Sequence, residues 1–151
     1  MLLNFVFIMF IVGTSTAQPQ PTDLAVSALI GPCRGNELGL LMQVRNNSTA
    51  EILVPEAQLP WGDDSSLLLV AIDRDRKQIA EAIAVDDPVA TMVRIPVGGT
   101  VPGCVQLPRR FRGLNATLER GDVHLFWSYE LRTRSRSYDR VYGGVLLRQR
   151  R

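Results

Sequence analysis

Nine residues late in the chain alternate in character. Val123, Leu125, Trp127, Tyr129 and Leu131 are separated by His124, Phe126, Ser128 and Glu130. A side-chain period of two over that length turns one apolar face toward a core and the other away, which is a half-buried strand. Such a strand needs partners, and the remaining sequence supplies segments of strand length separated by turn residues. Asp23–Ile30 is extended and meets Gly31-Pro32. Leu38–Arg45 is broken by Asn46-Asn47-Ser48 and resumed by Glu51–Val54, a pattern that predicts a hairpin or a bulged corner. Leu67–Ile72 is an unbroken apolar run, followed by the charged turn Asp73-Arg74-Asp75-Arg76-Lys77. Gln78–Val85 is assigned to a strand, although its Ala and Glu favour helix. Thr91–Ile95 is another strand, and Pro96–Gly103 is dense in turn residues. Cys104–Leu107 is short and extended, with Pro108 as its stop. Val141–Leu147 is the last strand, and its Gly143-Gly144 marks a bulge or a close contact. Pro55–Ser66 reads as a loop with Trp61 tucked over one end of the core. Arg132–Arg140 reads as a long polar connection. No segment is assigned to a helix.

Seven to nine short strands of this kind predict an all-β, antiparallel sandwich or barrel. An apolar content of 46% supports a packed core rather than disorder. Ahead of the strands, ten of the eleven residues 2–12 are apolar, small residues follow, and Ser15 and Ala17 stand where a signal peptidase reads. The run is shorter than the roughly 20 residues that cross a bilayer. The sequence therefore predicts a signal peptide over 1–17, a flexible Pro-rich segment over 18–23 and a single domain over 24–151. Because no Lys or Arg precedes the apolar run, an uncleaved leader is the alternative, and the one route to a membrane.

Cys33 and Cys104 are the only cysteines. In an oxidising compartment an isolated pair predicts a disulfide. It would close a loop of about 70 residues, worth roughly 4 kcal/mol in the chain-entropy account. Two reduced, buried thiols are the alternative if the leader is unused. No Cys-x-x-Cys or His cluster suggests a metal.

The segments Leu38–Pro55, Leu67–Asp75, Ile95–Gly99 and Gly121–Leu131 give the chain a pattern that resembles bacterial Ig-like and fibronectin-III-like β-sandwich domains, in the manner of the proteinase-inhibitor type of sandwich. The resemblance implies an Ig-like antiparallel β-sandwich with one disulfide, and inhibitor activity, but carries over no functional residue. Two departures stand out. Trp61 lies 28 residues after Cys33, too far for the core Trp of an antibody domain, and Pro102 stands where a Tyr would precede the second cysteine. The disulfide is therefore expected to join other strands than the antibody pair.

Candidate chemistry is sparse. His124 is the sole histidine, no Gly-x-Ser-x-Gly elbow accompanies it, and it opposes the apolar set of its strand. Asp63-Asp64, Asp73-x-Asp75 and Asp86-Asp87 match no EF-hand spacing and read mainly as turn residues. No catalytic, metal or cofactor site is expected, and the protein is read as not an enzyme. A carboxylate hydrolase ranks last. Asn46, Asn47 and Asn115 each open an Asn-x-Ser/Thr triplet, relevant only in a glycosylating host.

Charge is unevenly distributed. Residues 18–108 hold six Lys/Arg against eleven Asp/Glu, whereas residues 109–151 hold eleven Arg against four Asp/Glu. Arg109, Arg110 and Arg112 form one group. Arg132, Arg134 and Arg136 alternate, and would point one way in an extended chain. Guanidinium forks suit carboxylate and phosphate. An acidic protein or an anionic envelope polymer is the expected partner. Nucleic acid is not, since the protein is read as exported and lacks interleaved aromatics. A solvated edge that blocks sheet-to-sheet aggregation ranks just ahead of a binding role for these arginines. The chain thus reads as an exported, non-enzymatic binding or accessory domain in the periplasm or outside the cell. The alternative is an inhibitor of an exported hydrolase or protease, acting through Pro55–Ser66 or Arg132–Arg140.

Overall fold

The computed structural model describes residues 22–62, 66–82 and 91–149. The expected signal peptide, Asp63-Asp64, Asp86-Asp87, the end of the Gln78–Val85 run and the last two arginines lie outside the described residues. In chain order the elements are β1 (Leu24–Pro32), β2 (Leu38–Asn46), β3 (Ile52–Pro55), β4 (Leu67–Asp73), β5 (Gln78–Ile79), β6 (Met92–Ile95), β7 (Thr100–Gln106), α1 (Leu107–Arg110), α2 (Leu114–Arg120), β8 (Val123–Tyr129) and β9 (Val141–Leu147). They form three antiparallel sheets, ordered β1-β2-β7, β3-β6 and β5-β4-β8-β9. The protein is all-β, with nine strands among the described residues and one disulfide.

The alternation in β8 is expressed as expected. Val123, Leu125, Trp127 and Tyr129 are buried, as are Leu67, Leu69 and Ala71 on β4. They share one core cluster with Leu40, Met42 and Val44 of β2, Val105 of β7, and Ile52, Val54 and Ile95 of the small sheet. Each fully buried Leu, Ile or Val there stabilises the fold by roughly 1.5–3 kcal/mol. Tyr129 reaches through this core, and its hydroxyl donates to the Gln58 carbonyl at 3.0 Å. Burial pushes the phenol well above its ordinary range, so it stays protonated at neutral pH.

The chain between β2 and β3 is a corner rather than a hairpin: β3 leaves the first sheet and pairs with β6. The fully buried Asn46 fixes that corner. Its amide donates to the carbonyls of Ala50 and Ile95, and its oxygen accepts from the Ser48 N–H and hydroxyl. This leaves no free amide at the first of the three Asn-x-Ser/Thr triplets.

The two short helices correct the expectation of no helix. A 3.6-residue period cannot declare itself in the four residues of α1, and α2 shows only Leu114 and Leu118 as a buried i, i+4 pair. Pro108 does end the preceding strand, but as a first-turn residue of α1, where its missing N–H costs nothing. Of the Gln78–Val85 run, Gln78–Ile79 is strand and Glu81 makes a bridge to Phe111. β7 begins at Thr100, inside the expected turn region. It tolerates Pro102 because it is an edge strand.

The disulfide links Cys33, just past β1, to Cys104 on β7, with 5.9 Å between the Cα atoms. It crosses β2 over Gly39, where a Cβ would stand 2.2 and 2.5 Å from the two sulfurs. The bond therefore spans one sheet, whereas the antibody disulfide joins two. Trp61 packs against the core with its ring flat over Gly103. A formed disulfide is the chemistry of an oxidising compartment. Among the described residues, no helix is long and apolar enough to cross a membrane.

This topology gives the domain two ends. Cys33–Glu37, the Asp73–Lys77 turn, both helices, the start of β8 and the residues after β9 gather at a helix end. Asp23, the Asn46 corner and the β8–β9 connection gather at a loop end. The nine residues of β1 separate them by roughly 30 Å.

Candidate functional site

The fold divides the expected arginine site between these ends. At the loop end, the Arg132 Nε donates to Glu130 Oε1 at 2.7 Å, and Arg140 pairs with the other oxygen of the same carboxylate. These two bonds, Arg132 first, hold the Glu130 carboxyl below its ordinary range. Arg136 pairs with Asp23 and lies 4.8 Å over the Tyr138 ring. Arg134 is exposed. Arg132, Arg134 and Arg136 thus share one loop, but two of the three are engaged with carboxylates.

At the helix end, Arg110 is half-buried, and its Nε donates to Glu81 Oε1 at 2.9 Å. The backbone N–H of Ala82 donates to the Arg110 carbonyl, so this arginine ties α1 to the segment after β5. It is structural. Arg109 lies 3.8 Å from Glu37, a loose and largely exposed pair. Arg112 is exposed between the helices. At the same end of the sheets lie further basic residues from distant parts of the sequence: Arg34, Arg76, Lys77 and Arg120, all exposed. None of these four, nor Arg112, has a carboxylate partner among the described residues.

Between the charged turn and the last turn of α2 lies a polar cavity of about 330 Å³. Lys77 and Arg120 line it with Asp73, Asp75 and Thr117. Asp73 Oδ1 accepts the N–H groups of Asp75 and Lys77, at 2.9 and 2.8 Å, which shapes the turn. Asp122, at the rim, accepts the Gln149 N–H at 2.7 Å and an Arg148 contact at 3.2 Å. The Gln149 N–H is the main reason that its carboxyl sits below the ordinary range. Among the described residues, no group of three His, Cys, Asp or Glu is placed to hold a metal ion.

The remaining candidates do not line this cavity, although His124 lies near enough to Asp122 to help hold its carboxylate charged. His124 is exposed, with its ring beside that of Phe126 at 6.5 Å between centroids. In the Pro55–Ser66 loop, Leu59 and Pro60 are buried and Gly62 bonds back to Leu59, so the described part packs down onto the core. Sequence reasoning missed Arg34, Arg76, Lys77 and Arg120 as site residues. The turn Asp73–Lys77 was visible, but nothing in it indicated that α2 would pack beside it.

No protein-family model matches the chain, and no curated protein matches it.

Proposed function

We propose that the protein is an exported, non-enzymatic binding or accessory domain that engages an anionic partner, either an acidic protein face or an envelope polymer, through its helix end. The observation that carries this reading is the gathering of Arg34, Arg76, Lys77, Arg112 and Arg120 at one end without carboxylate partners among the described residues. Unneutralised, exposed cations raise the local concentration of anions and speed their encounter, while paired ones are largely screened from doing so. Export is supported by the leader pattern and by the disulfide.

The test is retention on immobilised polyglutamate as salt is raised. Lys77→Glu, Arg112→Glu and Arg120→Glu together are expected to weaken binding roughly five- to 150-fold, a few tenths to 1 kcal/mol for each exposed charge. The triple variant Arg132→Glu, Arg134→Glu, Arg136→Glu carries the same change in net charge and is expected to bind nearly as the parent does. Equal losses in both variants would reduce the effect to net charge and overturn the assignment to the helix end.

A further inference from the structure

Resting on that reading, we infer that the cavity between the Asp73–Lys77 turn and α2 is a binding site for one unit of an anionic sugar. The lining argues this by exclusion. The cavity is lined by three cations, Arg74, Lys77 and Arg120, and three carboxylates, Asp73, Asp75 and Asp122. Arg74 is only loosely paired to Asp75, at 3.8 Å. A bare anion seated inside would be drawn by the cations and repelled by the carboxylates. A metal cation meets the opposite conflict. An apolar ligand finds a lining that is mostly polar.

A hydroxylated organic anion satisfies both sets of groups. Its phosphate or carboxylate pairs with Lys77 and Arg120, and its hydroxyls donate to the carboxylate oxygens of Asp73 and Asp75. Asp73 uses only Oδ1 in shaping the turn, which leaves Oδ2 for the ligand. The Thr117 hydroxyl donates to the Gly113 carbonyl at 3.1 Å, so toward the cavity it acts as an acceptor. A volume of about 330 Å³ lies at the lower limit of ligand pockets, which suits a monosaccharide and its charged group. The site would then read the repeating unit of a polymer, with the surrounding guanidiniums holding its neighbours.

Glucose 1-phosphate and glucuronate serve as probes of the two anionic groups, with glucose and inorganic phosphate as half-ligands. Each is titrated into the full chain while the backbone amides are followed by NMR. Saturable shifts at residues 73–77 and 117–122 are expected with at least one sugar anion, and whichever shifts more identifies the charged group. Lys77→Gln or Arg120→Gln should weaken that binding about tenfold, and Asp75→Asn about threefold. Phosphate binding as tightly as glucose 1-phosphate would overturn the inference, because the carboxylates would then be idle. So would the absence of saturable shifts at these amides. In that case, polyglutamate retention that still depends on Lys77, Arg112 and Arg120 would leave the proposed function standing. Loss of both would remove the two together.

Discussion

The two ends of this domain carry similar numbers of arginines from the C-terminal third of the chain and use them differently. At the loop end, Glu130 takes Arg132 and Arg140, and Asp23 takes Arg136. The guanidiniums there fasten the β8–β9 connection to itself and to the start of β1. At the helix end, Arg110 is held by Glu81, and Arg109 and Arg148 make exposed pairs with Glu37 and Asp122, but Arg112 and Arg120 join Arg34, Arg76 and Lys77 as cations without a carboxylate partner among the described residues. An arginine count along the sequence therefore does not locate a binding surface. Which arginines stay unpaired depends on the carboxylates that the fold brings within reach.

The sharpest way to break the comparison is to remove the core that both ends share. Leu125 is fully buried at the centre of β8. Leu125→Asp places an unpaired charge there and should cost more than about 4 kcal/mol, abolishing cooperative unfolding in urea at both ends together. Wild-type stability would contradict the shared core. The next two substitutions should separate the ends. Replacing both cysteines by Ser is expected to cost up to about 4 kcal/mol, with hydrogen exchange rising first at 33–39 and 104–110, on the helix side. Asn46→Ala leaves the Ser48 hydroxyl and the Ala50 and Ile95 carbonyls without the amide. It should cost about 2–3 kcal/mol and loosen the loop side first. If each change loosened both ends equally, the domain would be a single cooperative unit without the division drawn above.

The smallest expected effect is electrostatic. The Glu130 pKa in the folded state is lowered, so its contribution is present above the ordinary carboxylate range and is lost as pH falls through the depressed value. Glu130→Gln should therefore lower the melting temperature slightly near neutrality, and the gap should close in acid. High salt should shrink it as well, since the pair is exposed. A gap that widens in acid would contradict the assigned sign.

Much of this fold was legible in the sequence. The Val123–Leu131 alternation, the turn after β4 and the Cys33–Cys104 pair each survive as read, because strand period, turn chemistry and disulfide pairing are local or nearly unambiguous signals. The helices were missed because elements of four and seven residues are shorter than the pattern that reveals them. The unbroken apolar run of β4 concealed a difference between its faces: Leu69 is buried while Leu68 and Phe126, on the other face of the same sheet, stand about half exposed. The site was half legible. Arg109 and Arg112 were singled out, but Lys77 and Arg120 are 43 residues apart and meet only through β4, β8 and α2. Arg132, Arg134 and Arg136 looked equivalent by spacing, and it is the distant Asp23 that makes Arg136 a structural tie.

The most direct test is an amide-resolved NMR titration of the protein with polyglutamate at low salt. The account predicts that shifts concentrate at residues 34–37, 73–77 and 107–122 and fade as salt is added, while residues 130–140 move little. Shifts concentrated at 130–140 would place the working surface at the loop end and contradict it.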